Sequence, residues 1–143
     1  MKKLLVSLVV AMTVIGTGTA KAGQNLIQVS LFNPIQLINE DKSVEGFRWN
    51  FIYTANQNMT GFDLGFISKT KGNFLGVGYC AANIVEGNMK GIQIGVFNTS
   101  NSVNGVQLGF VNMTKKLNGL QLGLLNLNDA GPFKMLPLIN FAL

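Results

Sequence analysis

Histidine is absent from this 143-residue chain, and cysteine occurs once. Without an imidazole there is no Ser-His-Asp or Cys-His nucleophile and no histidine-ligated metal site. A single thiol, Cys80, excludes an internal disulfide. Charge is scarce: 12% of residues are Asp, Glu, Lys or Arg, about half the usual share of about 25% in soluble domains. No basic stripe interleaved with aromatics occurs, which argues against nucleic acid as a partner. No G-x-x-x-x-G-K stretch occurs, and no glycine motif sits between a strand and a helix, so nucleotide binding has no support. Beyond the first residues no apolar run is long enough for a transmembrane helix.

What is present begins with an export signal. Lys2 and Lys3 precede an apolar run at 4–15, and Ala20-Lys21-Ala22 is a small-x-small cleavage site. The run is too short to span a bilayer. We therefore expect a cleaved signal peptide at 1–22 and a single β-repeat domain at 23–143. The net charge of +5 then overstates the basicity. Lys2, Lys3 and Lys21 leave with the leader, and eight basic residues remain against six acidic ones. An exported, charge-poor chain without a transmembrane helix points to β-structure in the outer membrane, or to a β-structure that self-associates.

The remainder is a repeat array. Gly46, Gly61, Gly76 and Gly91 lie 15 residues apart, and Gly91, Gly105 and Gly119 lie 14 apart. Phe133 stands where the next glycine belongs, and FKMLPLINF falls under GLQLGLLNL as a further unit. LIQVSLFN, at 26–33, is an outlying first unit. Within each unit apolar residues alternate with small or polar ones: Ile92, Ile94 and Val96 against Gln93 and Gly95, or Val106, Leu108 and Phe110 against Gln107 and Gly109. That period of two means strand. NTSNSVN and NMTKKLN read as the turns between strands.

Two all-β architectures fit. The preferred one is an antiparallel meander closed into a small transmembrane β-barrel of about eight strands, with the apolar face toward lipid. In that register Gln93 faces Gly109 and Gln107 faces Gly123, so large meets small on a narrow interior face. Arg48 faces Gly65, with Asp63 diagonal to it. The alternative is a parallel β-solenoid. There Gln93, Gln107 and Gln121 stack as one amide ladder and Asn98, Asn112 and Asn126 as another. The barrel is preferred because the Gln/Gly face is the restricted one while the apolar face drifts, as lipid allows.

The units GIQIGVFN, GVQLGFVN and GLQLGLLN resemble the bacterial (leptospiral-type) surface-repeat family with its G-x-Q-x-G-x-x-N units. QVSLFNP and PFKMLPLINF resemble that family's opening and closing units. Units before Gly91 depart from the pattern, with Arg48, Asp63 and Gly78 in place of Gln. The resemblance implies a surface or outer-envelope location and supplies no reaction. A weaker resemblance, through Q-x-G-x-x-N, is to curli-type amyloid repeats, whose unit is longer. These serve as the pattern for a self-assembling alternative.

No residue is expected to be catalytic, to bind a cofactor or to hold a metal. Cys80 is read as a small packing residue rather than a nucleophile, and Arg48 with Asp63 as a candidate interior ion pair. Glu40, Asp41, Lys42 and Glu45 are read as a solvated connection rather than a calcium loop. The structural positions are Gln93, Gly95, Asn98, Gln107, Gly109, Asn112, Gln121, Gly123 and Asn126. The expected role is structural, adhesive or interacting, without catalysis, at the outer membrane or cell surface of a Gram-negative bacterium. Outer-membrane lipid or a second copy is the expected partner, with a host or envelope protein as a further candidate. The alternatives are a secreted fibre subunit that self-associates through its end strands, and a small barrel that takes an apolar ligand or conducts a solute.

Overall fold

The alternating units form strands, as their period requires. The computed structural model describes residues 25–143, so the leader expected at 1–22 lies outside the described residues. The strands are β1 (Ile27–Phe32), β2 (Ile35–Gln36), β3 (Val44–Asn50), β4 (Tyr53–Asn56), β5 (Met59–Thr70), β6 (Phe74–Ile94), β7 (Phe97–Leu108), β8 (Val111–Asn128) and β9 (Met135–Ala142). They belong to one sheet in the order β2-β1-β3-β5-β6-β7-β8-β9, with β4 beside β5.

Successive repeats stack parallel, like residue on like residue. Gly91, Gln93 and Asn83 lie on Gly105, Gln107 and Asn98. Gly105, Gln107 and Asn98 lie in turn on Gly119, Gln121 and Asn112. The chain is a parallel β-solenoid, and the antiparallel barrel does not form. Gln93 does not face Gly109, and Arg48 lies on Asp63 rather than opposite Gly65. The barrel reading requires that a solenoid turn its apolar face inward. Here the restricted Gln and Asn face is the interior, and the drifting apolar face is the exterior.

A repeat is one full coil, not one strand. In the coil from Val103, residues 103–108 form one side, the chain bends at Gly109 and Phe110, and 111–114 form the other. The two runs read as turns, NTSNSVN and NMTKKLN, are therefore strand within β7 and β8. Their inward positions are polar, which disguised the alternation. The change from 15 to 14 residues per coil occurs in a register shift between Val85 and Asn88. It lies on the polar edge, where an extra residue bulges without disturbing the interior.

The final unit also departs from expectation. β9 runs antiparallel to β8, pairing Asn140 with Gln121 and Leu138 with Gly123. The cause is visible at Phe133. The glycines that begin the coils have positive φ, +145° at Gly105, where a side chain is strained. A Cβ on Gly105 would also lie 2.0 Å from the carbonyl oxygen of Gly91. Phe133 cannot continue that column, so the chain turns back. β1 does join the stack, but through Gln28 on Arg48 rather than through its terminal Asn33.

The interior has an apolar column and a polar part. Val44, Met59, Phe74, Met89, Val103 and Leu117 form the apolar column. Around it, buried Gln, Asn, Ser and Thr side chains fill the coils. Gly105→Ala should lower the unfolding free energy by roughly 2–5 kcal/mol, combining a strained φ with a backbone clash. Val106→Ile, one residue away on the outer face, should change it by less than about 0.5 kcal/mol. Urea titrations of the two variants read the difference. Similar midpoints would mean that the glycine column does not constrain the fold.

Candidate functional site

Two constellations stand out: the polar interior and the apolar exterior. In the interior, Asn83 donates its Nδ2 to Asn98 Oδ1 at 2.8 Å, Asn98 to Asn112 at 2.9 Å, and Asn112 to Asn126 at 2.8 Å. Each amide also donates to a backbone carbonyl of the following coil, as Asn98 does to Leu108 at 2.9 Å and Asn112 to Leu122 at 2.9 Å. The glutamine ladder runs the other way. Gln107 donates to Gln93 and Gln121 to Gln107, both at 2.8 Å. Asn140 of β9 closes it by donating to Gln121 at 3.1 Å.

The second glycine of the unit serves the asparagine ladder. A Cβ on Gly109 would lie 2.4 Å from the Gly95 carbonyl oxygen and 2.7 Å from Asn98 Nδ2. Gly95 and Gly123 are crowded in the same way, by the carbonyl oxygens of Cys80 at 2.0 Å and Gly109 at 1.9 Å. Gln93, Gly95, Asn98, Gln107, Gly109, Asn112, Gln121, Gly123 and Asn126 are thus all interior or corner positions of one stack. The Gln and Asn side chains among them are buried, and the three glycines lie at the corner.

Arg48 and Asp63 form a buried ion pair, 0% and 1% exposed, at 2.6 Å. The contact is bidentate: Nε donates to Oδ1 at 3.0 Å and Nη2 to Oδ2. Nη2 also reaches Thr70 Oγ1 at 3.0 Å, and Nη1 the Lys69 carbonyl at 3.3 Å. The Ser68 hydroxyl donates to Asp63. With both charges satisfied and sealed from solvent, the pair holds the stack and is not placed to act on a substrate. Arg48→Leu should destabilise the protein by about 3–5 kcal/mol by stranding a buried carboxylate. Adding Asp63→Leu should recover most of that loss, as thermal melts of the single and double variants will show. A double variant as unstable as the single one would mean that the charges are not coupled.

Cys80 is 3% exposed. Burial pushes its thiol well above the usual range, with the nearby Asp63 carboxylate acting in the same direction. It is therefore held as the unreactive thiol. Iodoacetamide should label Cys80 at neutral pH only when the chain unfolds. Rapid labelling of the native protein would make it an accessible nucleophile instead.

The exterior holds the larger feature. Three outward columns run along one side and its corner. The first is Phe47, Phe62, Val77, Ile92, Val106 and Leu120. The second is Trp49, Leu64, Tyr79, Ile94, Leu108 and Leu122. The third, at the corner, is Phe66, Ala81, Val96, Phe110 and Leu124, preceded by Phe51 and Ile52 where the first coil carries one more residue. None of these positions is charged. The third column is the most prominent, with Phe66, Phe110 and Leu124 at 58%, 57% and 61% exposure. A hollow of about 470 Å³ lies on this side among Ile94, Leu108, Gly109, Phe110, Leu124 and Leu138. A smaller one of about 350 Å³ lies beside Tyr79, Ile94 and Val96. The opposite edge is polar, carrying Lys71, Asn73, Glu86, Asn88, Lys115 and Lys116. The second side also turns apolar residues outward, among them Ile67, Phe97, Val111 and Leu125, so the polar edge joins two largely apolar sides. Composition revealed an outward apolar face, but the wrong fold was attached to it.

The two ends differ from the expectation of bare end strands. At the first end, residues 33–43 fold back over β1. Leu37 donates its N–H to the Val29 carbonyl at 3.0 Å. Gln28 accepts from the Ile38 N–H at 2.6 Å and donates to its carbonyl at 3.0 Å. Glu40 fastens this segment, accepting from Asn33 at 2.7 Å and pairing with Lys71 at 3.4 Å. The Asn33 amide, and then Lys71, hold its carboxyl below the usual range. At the other end β9 covers β8, and its outer edge carries exposed Met135, Leu138, Ile139 and Phe141.

Among the described residues no group of His, Cys, Asp and Glu is placed to hold a metal ion. No helix there is long and apolar enough to cross a membrane. Compared with protein-family models, curated proteins and solved structures, the chain matches none. The resemblance to surface repeats therefore rests on the quoted residues alone.

Proposed function

We propose that the chain is an exported structural and interaction protein of the cell surface or outer envelope that takes no part in catalysis. Its working part is the uncharged apolar side of the solenoid. One observation carries the reading: the three outward columns are apolar in every coil, whereas the interior holds polar ladders around a single apolar column. Contiguous apolar patches beyond a few hundred Å² mark interaction or membrane surfaces on soluble proteins. Here the patch runs along the whole stack. The buried amide ladders make the coils a stiff support for it. The apolar run at 4–15, with the small-x-small site after it, supports export. The G-x-Q-x-G-x-x-N units support a surface location by resemblance.

The secreted self-associating subunit is the second reading, and the parallel register favours it over a conducting barrel. Growth by adding coils at the ends is opposed at the first end by the segment 33–43. Lateral association through the apolar side is left as the route.

Cell fractionation tests the reading. In a Gram-negative host, the unaltered chain should leave the cytoplasm and stay associated through its apolar side, with the envelope or with another copy, until detergent is added. The variant Ile94→Lys/Leu108→Lys, altered only on the outward face, should appear in the soluble exported fraction. Identical fractionation of both proteins would remove the apolar side from the function.

A further inference from the structure

The apolar side is graded along its length. Its first coils carry aromatics: Phe47, Trp49 and Phe51, then Phe62 and Phe66 flanking Leu64. Its last coils carry aliphatics: Val106 and Leu108 beside Phe110, then Leu120, Leu122 and Leu124. The larger hollow lies in the aliphatic half, around Leu108, Gly109 and Leu124. Bulk at one end and space at the other is the relief of a surface that fits itself when one copy is reversed.

We propose that two copies of the chain pair through this side about a twofold axis along the strand direction, with their coils running in opposite directions. The reversal lays the column of Phe51 and Phe66 in one copy over the column of Leu124 and Phe110 in the other. Trp49 lies over Leu122, Leu64 over Leu108 and Phe62 over Val106. At the centre Tyr79 lies over Ile94, and Ala81 over Val96. Phe47, Phe62, Trp49 and Tyr79 each meet a smaller aliphatic residue, Leu64 and Phe66 meet residues of their own size, and the aromatic ridge of each copy faces the hollow of the other. The same-direction arrangement would set the aromatic halves against each other and leave both hollows unfilled.

Size and charge agree with that occupant. Six coils at about 4.8 Å, by three columns spanning about 20 Å, give roughly 600 Å² per copy. The pair therefore buries about 1,200 Å², the lower bound for a stable interface. Two uncharged faces meet without stranding an ion, and aligned sheets pack face to face about 10 Å apart. An anionic lipid surface would instead call for a basic rim. Lys90 alone adjoins these columns, while Lys115 and Lys116 lie on the far edge. A twofold contact is isologous and closes at two copies, so it yields a discrete dimer and not a fibre.

This inference rests on the apolar side being the working surface, and the test separates the two. The purified chain is measured by light scattering and sedimentation across a hundredfold range of concentration. The chain should run as a dimer. Leu64→Glu and Leu108→Arg should each give monomers that still protect Cys80 from alkylation and are therefore folded. Mixing these two variants should restore a one-to-one dimer, because residue 64 of one copy meets residue 108 of the other. Chains bearing Phe66→Cys should form a disulfide with chains bearing Phe110→Cys, and not with one another. A monomeric chain that binds neutral phosphatidylcholine vesicles through this side overturns the dimer and keeps the surface. An open-ended polymer, or a mixture that stays monomeric, overturns the dimer as well. Variants indistinguishable from the unaltered chain in every assay overturn both.

Discussion

The requirement that an interior amide be donor and acceptor at once governs this molecule. A buried carboxamide without partners costs about 1–3 kcal/mol. Stacking identical amides at the spacing of neighbouring strands removes that cost along the column, because each Nδ2 or Nε2 finds the oxygen of the next. The solution works only if every coil presents the same residue at the same height. Parallel in-register stacking follows from it, and the change from 15 to 14 residues per coil falls on the polar edge, outside the ladders. The two ladders also point in opposite directions: asparagines donate toward the later coil and glutamines toward the earlier one. Their amide dipoles therefore oppose each other and do not accumulate along the stack.

From that constraint comes the inversion of the usual inside and outside. A narrow coil has little interior, and the ladders occupy most of it. The apolar column from Val44 to Leu117 takes the rest. The remaining apolar residues of each unit have nowhere to go but outward. They occupy both sides and the corner, and only the bends around Lys71 to Asn73, Glu86 to Asn88 and Lys115 to Lys116 stay polar. An exposed face of this extent is a by-product of the interior chemistry, and it is also the most distinctive surface that the chain offers.

Much of this was legible in the sequence. The glycine spacing marks the repeat, period-two alternation marks the strand, and the amide columns were foreseen for the solenoid case. The direction of stacking was not legible, because alternation is identical in parallel and antiparallel sheets. Complementary sizes at Gln107 and Gly123 made the antiparallel register attractive, but size matching is a weaker constraint than amide pairing. The second side of each coil was hidden as well. In VNMT the inward residues Asn112 and Thr114 are polar and the outward Met113 is apolar, so the strand reads as a turn. Arg48 and Asp63 were paired from the sequence through the wrong register. A long side chain near a carboxylate satisfies both geometries.

The units that break the pattern explain why the stack has a definite beginning. A uniform column of glutamines would let one coil slide past the next at little cost, since every amide would find an equivalent partner. Here the column reads Gln28, Arg48, Asp63, Gly78 and then Gln93. A slip by one coil would set Arg48 against Gly78 and leave both charges without their partner, a loss of about 3–5 kcal/mol. The interruption has its own cost. Gln93 Nε2 lacks a partner among the described residues, because Gly78, the preceding position of the column, has no side chain to accept from it. One unpaired amide at the junction is the smaller penalty, so the ion pair fixes the register and the ladder grows from it toward β9.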